Sequence, residues 1–95
     1  MPGAVTVRVH GEPVTIVQLP GWTPVGEGLC DAHPPGYVRV HRIAWGPGAP
    51  DLRRGTFRLA LPRGRWFQAR YDGPLAAGAP PPTDLVFALE RAEGF

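Results

Sequence analysis

Polar and apolar residues alternate most regularly over 56–71, where two alternating runs flank a short turn. The first run covers 56–61 and the second covers 65–71. Between them, Pro62-Arg63-Gly64 supplies a three-residue turn with a glycine available for the left-handed position. This pattern predicts a β-hairpin.

The length of the turn also predicts the cross-strand register of that hairpin. Because Leu61 must face Arg65 across the turn, each later pair follows by counting back along both strands. The pairs expected on one face are Leu59 with Phe67 and Phe57 with Ala69. The pairs expected on the other face are Ala60 with Trp66, Arg58 with Gln68 and Thr56 with Arg70.

The first of these faces is predicted to be the core face. Placing Trp66 inside instead would carry Gln68, Arg58 and Arg70 into the interior with it. An unpaired charge there costs several kcal/mol or more. We therefore expect Trp66 on an outer face among arginines.

Two further β patterns lie near the start of the chain. Strict alternation over 4–10 predicts a strand with three valines on one face. Gly11-Glu12 suits a type II′ turn, and the β-branched run 13–19 predicts a second strand. Since the second run has apolar residues on both faces, it fits a closed or sandwiched sheet.

The stretch 20–36 shows no clear periodicity. It is longer than the usual connection between elements, and such stretches are commonly functional or hide a short irregular strand. Trp22 within it is expected to cap one end of a barrel, because large aromatic side chains bury roughly 150–250 Å² as a rule.

The run 37–45 predicts a strand whose alternation breaks at His41-Arg42. A β-bulge at those two residues would return the following apolar positions to the core side. Val38, Val40, Ile43 and Trp45 would then share one face, with Arg39 and His41 on the other.

The last segment, 83–95, is compatible with two structures. As a strand it places Leu85, Phe87 and Leu89 on one face, whereas Asp84 as N-cap and Gly94 as terminator would suit a helix. We favour the strand, because a closing strand removes a sheet edge that would otherwise be open to aggregation. A proline-rich connection, LAAGAPPP over 75–82, precedes it.

These patterns predict an all-β fold, either a small five- or six-stranded barrel or a two-layer antiparallel sheet of SH3/OB-like size. One short C-terminal helix is the alternative for the last segment. The composition agrees, because 13 glycines and 13 prolines in 95 residues exceed the average usage of about 7% and 5%. The length predicts a single small β domain over 1–95.

The cellular location is predicted from what the sequence lacks. No apolar run approaches the roughly 18 residues of a membrane span, and the first residues lack the cationic and apolar blocks of a secretory signal. The single cysteine, Cys30, agrees with a reducing compartment. We expect a cytoplasmic protein that does not bind membranes.

Little in the sequence indicates catalysis. The chain contains no serine, lysine or asparagine, which excludes a Ser-His-Asp triad. Cys30 and His33 have the right softness for zinc, but no CxxC or HExxH spacing accompanies them. Asp31 beside the thiol also disfavours a reactive thiolate. We therefore predict a non-enzymatic protein with no catalytic residues, no metal site and no cofactor.

The charge is concentrated in one part of the chain. The stretch 37–71 carries a formal charge of +7, while the residues before it carry −2 and those after it −3. Arginines interleaved with an aromatic ring on β structure are typical of surfaces that neutralise phosphates and stack bases. The candidate binding residues are Arg39, Arg53, Arg54, Arg58, Arg63, Arg65, Trp66 and Arg70.

Two functions fit this pattern. The first is binding of RNA or single-stranded DNA through the arginine and tryptophan face. The alternative is a structural or adaptor subunit in which the same face contacts a protein partner or a second copy, because tryptophan and arginine are also enriched at interface hot spots. A third interpretation involves neither function: the arginines form a solvated face, and another segment or subunit covers Trp66.

Overall fold

The computed structural model describes residues 8–48 and 50–95. Six strands form within these ranges, with one turn of 3₁₀-helix, Pro62–Gly64, before the fifth. The strands are β1 (Glu12–Gln18), β2 (Thr23–His33), β3 (Tyr37–Trp45), β4 (Phe57–Ala60), β5 (Trp66–Arg70) and β6 (Leu85–Glu93).

The strands close into an antiparallel barrel with the order β1-β2-β3-β6-β5-β4. β4 pairs with β1 and completes the ring. The prediction of a small all-β barrel is therefore confirmed, with six strands. In a ring of six, strands three places apart lie on opposite sides, so β3 is opposite β4 and β1 is opposite β6.

The predicted hairpin is confirmed in its register. β4 and β5 pair Phe57 with Ala69, Arg58 with Gln68, Leu59 with Phe67 and Ala60 with Trp66. The Leu61 N–H donates to the Arg65 carbonyl at 2.9 Å and closes the turn. Gly64 takes the left-handed conformation there, with φ of 71°. Consequently the alternating apolar residues of both strands point into the barrel.

The predicted bulge in β3 is also confirmed. Arg42 has φ of 53°, and the pairing with β2 slips between Glu27 and Leu29 at this point. The extra residue returns Ile43 to the core, where it is 5% exposed. Trp45 packs against the core, and its Nε1 donates to the Pro82 carbonyl at 2.8 Å.

The last segment forms a strand rather than a helix. β6 pairs with β3 on one side and β5 on the other, so it closes the barrel as expected. Leu85 and Phe87 are buried, and the Phe87 ring meets Phe57 edge-on at 5.6 Å between centroids. Burial of this apolar face outweighs the helix-forming composition that follows it.

The interpretation of 20–36 as mostly irregular is wrong, because β2 spans eleven of these residues. Glycine occupies two positions of β2 at which a Cβ atom would collide with neighbouring residues. A Cβ on Gly26 would lie 2.9 Å from the Trp45 ring, and one on Gly28 would lie 2.8 Å from the His41 carbonyl oxygen. The barrel wall is too tight there for side chains, so the apolar alternation that marks a strand is absent.

The strand predicted over 4–10 lies largely outside the described residues. Its described part, 8–10, is not in a strand, although the Val9 carbonyl accepts the Ala32 N–H at 2.9 Å. The Gly11-Glu12 hairpin is wrong, because Glu12 already belongs to β1 and pairs with Cys30 of β2. Gly11 does turn the backbone, with φ of 61°, but it leads the chain into β1.

The core fills the barrel with branched and aromatic side chains, and among the described residues no polar or charged one is buried. The largest fully buried side chains are Phe57, Phe67, Phe87, Ile16, Leu59, Val38, Val40 and Cys30. No helix in the described ranges is long and apolar enough to cross a membrane. Because no charged residue that the structure describes is buried, every described arginine lies at the surface, and its role depends on the residues that it contacts.

Candidate functional site

Three strands and one turn bring two tryptophans and two arginines together on the outside of the barrel. The Arg58 guanidinium carbon lies 3.6 Å from the centroid of the Trp66 ring and 4.4 Å from that of the Trp22 ring. The Arg91 guanidinium carbon lies 5.6 Å from the Trp66 ring. We call Trp22, Arg58, Trp66 and Arg91 the Trp–Arg stack.

The pairing of the strands explains this meeting. Arg58 on β4 points outward because its neighbours Phe57 and Leu59 point into the core. Trp66 begins β5 opposite Ala60, on the same outer face. Trp22 ends the turn between β1 and β2, and β1 lies directly beside β4. Chain segments distant in sequence are thus brought to one surface.

Trp22 does not plug the barrel, so that prediction is wrong. Its side chain is 55% exposed, and its backbone is left-handed with φ of 56°. Leu52, from the connection between β3 and β4, is buried in the core instead at 3% exposure. A left-handed backbone costs a residue other than glycine roughly 1–2 kcal/mol. An exposed tryptophan held in this conformation is a candidate functional residue.

Trp66 lies on the outer face among arginines, as its register predicted. The ring is half-buried and has Arg58 against it. Arg58 Nε is itself buried, with no hydrogen-bond partner in the described part of the chain. A cation held over an aromatic face gains about 0.5–1 kcal/mol when exposed and about 2 kcal/mol when desolvated. Arg58 therefore binds the two rings to each other, and the exposed indole surface belongs to Trp22.

Arg39 lies elsewhere on the barrel. It is on β3, across the ring from Arg58 on β4. Its Nε and Nη2 donate to the two carboxylate oxygens of Asp84 at 2.9 and 2.6 Å. This bidentate pair raises the pKa of Arg39 and lowers the pKa of Asp84, chiefly through the hydrogen bonds. The Arg39 side chain is thus engaged within the chain.

Arg65 makes the second bidentate pair, with Glu12 at the start of β1. Nη1 donates to Oε2 at 3.0 Å, Nη2 donates to Oε1, and Nε donates to the Pro62 carbonyl at 2.9 Å. The hydrogen bonds from Arg65 hold the pKa of Glu12 below its usual value, and Glu12 raises the pKa of Arg65. Arg63 approaches the same carboxylate at 3.9 Å. Arg65 thus links the turn after β4 to β1, the strand that pairs with β4 to close the barrel.

The remaining predicted arginines also have partners. Arg70 Nε lies 3.0 Å from Glu90, and Arg54 Nε lies 3.3 Å from Asp51. Arg53 donates to the Gly73 carbonyl at 3.0 Å and makes no ion pair in the described residues. Of the eight predicted binding residues, the structure brings Arg58 and Trp66 together. Five of the other six face carboxylates of this chain, and Arg53 is the exception. Glu12, Asp84 and Glu90, which lie outside the +7 stretch, face four of its arginines.

The cysteine and histidines do not assemble a reactive site. Cys30 is fully buried, and burial raises the pKa of its thiol to about 12, which keeps it protonated at neutral pH. His33 is exposed on the opposite face of β2. His41 Nε2 lies 2.7 Å from Asp31, whose other oxygen accepts the Gly11 N–H at 2.6 Å. No group of three or more such ligands is placed to hold a metal within 8–48 and 50–95.

Comparisons with protein-family models, with curated proteins and with solved structures find no match for this chain. Small β-barrels support many unrelated functions, so a function has to be argued from the chemistry of the surface. On the described surface, Trp22 is a large exposed aromatic side chain, and Arg58 lies against its ring without completing an ion pair. These two residues are therefore the candidates for recognition.

Proposed function

We propose that this protein is a non-enzymatic binding module that contacts a protein partner through the Trp–Arg stack. The observation that carries the proposal is Trp22, which is 55% exposed and strained at φ of 56°, yet rests against Arg58. Tryptophan and arginine dominate the energetics of protein interfaces, where flat rings provide large contact area. A partner that covers Trp22 would desolvate Arg58 further and strengthen its contact with both rings.

The pairing of charges favours a protein over a nucleic acid. Binding to nucleic acid depends on cations that are free to neutralise phosphates. Arg39, Arg54, Arg65 and Arg70 are all within ion-pair distance of carboxylates of this chain. A phosphate would have to displace each of those carboxylates, so the number of arginines overstates the capacity of the surface for phosphates.

Single-stranded RNA or DNA is the second candidate, and the exposed ring of Trp22 supports it. A base stacked on an aromatic side chain contributes about 1–3 kcal/mol. Arg58 beside the ring and Arg53 on the loop before β4 make no ion pair in the described residues and could face phosphates. The partner in this case would be recognised by stacking and a small number of cations.

The protein proposal is tested by capture and rebinding. Immobilised protein should retain a partner from cell extract, and the purified partner should rebind in solution. Trp22→Ala and Arg58→Ala should each weaken this affinity about tenfold or more, equivalent to about 1.4 kcal/mol. Tyr37→Ala is the matched control, because Tyr37 is 42% exposed on β3, opposite β4. Equal affinity for all three variants would contradict the proposal.

The nucleic-acid candidate is tested with the same variants. Tryptophan fluorescence is titrated with single-stranded oligonucleotides at two salt concentrations. If the protein binds a protein partner and not a nucleic acid, the fluorescence should show no saturable change at low salt. The second candidate would replace the first if the logarithm of the binding constant fell with the logarithm of the salt concentration, with a slope of about −0.7 per phosphate neutralised. Arg58→Ala should then show a smaller slope.

A further inference from the structure

A second open surface lies beside the Trp–Arg stack. It is a groove of about 610 Å³ across the outer faces of β1, β2, β3 and β4. Its lining includes one row of cross-strand neighbours, Ala44, Glu27, Thr15 and Ala60, of which all but Glu27 are small. The next residue in that row is Trp66 of the Trp–Arg stack. The groove therefore follows from the register, which places small residues side by side on neighbouring strands.

Two charged side chains line this groove. Glu27 on β2 and Arg42 on β3 are both exposed, and neither makes an ion pair within the described residues. Arg39, Arg65 and Arg70, in contrast, all face carboxylates. The groove thus has one acid and one base whose charges are not satisfied by the described chain.

The backbone at Arg42 adds an independent observation. Arg42 is the bulge residue of β3 and has φ of 53°, where glycine would be the unstrained choice. Bulges re-aim side chains, and strain at an exposed position is commonly found at functional sites. The bulge itself returns Ile43 to the core, but that requirement does not explain an arginine at this position.

We propose that a second copy of this chain occupies the groove about a two-fold axis. Glu27 of each copy would then pair with Arg42 of the other, and the small side chains of Ala44, Thr15 and Ala60 would be buried between them. A two-fold interface uses the same patch twice, so the patch must complement itself. One unpaired acid and one unpaired base in a single groove meet this condition. The inference does not depend on the function proposed for the Trp–Arg stack.

Charge exchange tests this proposal directly. Analytical ultracentrifugation over a wide concentration range should show a dimer for the unaltered protein. Glu27→Arg and Arg42→Glu should each weaken dimerisation about tenfold or more, because each places like charges across the axis twice. The double variant E27R/R42E exchanges the charges and should restore dimerisation. A monomer at every concentration, or a double variant as weak as the single variants, would overturn the proposal.

Two controls separate this result from other effects. Val86→Glu changes a residue that is 37% exposed on β6, opposite β1, and should leave the dimer unchanged. Trp22→Ala should also leave it unchanged while weakening the proposed partner contact, so failure of either proposal is recognised separately. Thermal melting of each variant confirms that the barrel is intact. Loss of the dimer in Val86→Glu with the fold intact would contradict the assigned surface.

Discussion

The two faces of the β4–β5 hairpin follow different rules. On the inner face Leu59 meets Phe67 across the strands, and both are fully buried. On the outer face Arg58 meets two indole rings, whereas Arg65 at the turn meets the Glu12 carboxylate. The inner face is determined by burial alone. The role of each outer residue depends on a partner from a distant part of the chain.

The largest effect should come from the inner face. Leu59→Ala leaves a cavity in the centre of the barrel and should lower the free energy of unfolding by about 2–5 kcal/mol. Ala60→Val, on the adjacent outer position, should change it by about 0.5 kcal/mol or less. Urea unfolding of both variants makes the comparison. Equal losses would mean that the two faces do not differ as described.

That division also explains what the sequence could and could not predict. The hairpin register, the β3 bulge and β6 follow from local alternation and turn residues. The alternation does not predict β2, because Gly26 and Gly28 occupy positions where apolar side chains would have indicated a strand. The site was only partly predictable, since Glu12 and Asp84 reach Arg65 and Arg39 from 53 and 45 residues away. The local sequence pattern does not reveal ion pairs between residues so far apart, and it does not reveal the contact between Trp22 and Arg58.

The next effect is the loss of stability at low pH. Arg65 holds the pKa of Glu12 below its usual value, so the folded state releases this proton more readily than the unfolded state. The resulting stability is complete above the ordinary pKa of the carboxyl. It is lost as pH falls from about pH 5 through the lowered value. Thermal melts at a series of pH values should show Glu12→Gln with a weaker acid dependence than the unaltered protein.

The matched comparison for that series is Arg65→Gln, which removes the hydrogen-bond partner of Glu12. If the ion pair is the cause, Arg65→Gln should weaken the acid dependence as Glu12→Gln does. An acid profile that Arg65→Gln leaves unchanged would show that the ion pair is not the cause. The comparison would then no longer assign Arg65 to folding and Arg58 to recognition.

A smaller effect is expected at the bulge. Arg42→Gly and Arg42→Ala both remove the guanidinium, but only glycine accepts φ of 53° without strain. The glycine variant should therefore be more stable than the alanine variant by about 1 kcal/mol. Urea unfolding at a protein concentration that keeps each variant monomeric measures this difference. An alanine variant of equal or greater stability would show that Arg42 holds no backbone strain.

The most direct measurement of the central claim uses Trp22→Gly. Glycine suits the left-handed backbone at this position and removes the ring that lies over Arg58. The claim that Trp22 serves recognition predicts a free energy of unfolding within about 1 kcal/mol of the unaltered protein. It also predicts an affinity for the captured partner that is lower by about tenfold or more. An undiminished affinity together with a loss of more than about 2 kcal/mol in stability would show instead that Trp22 belongs to the fold.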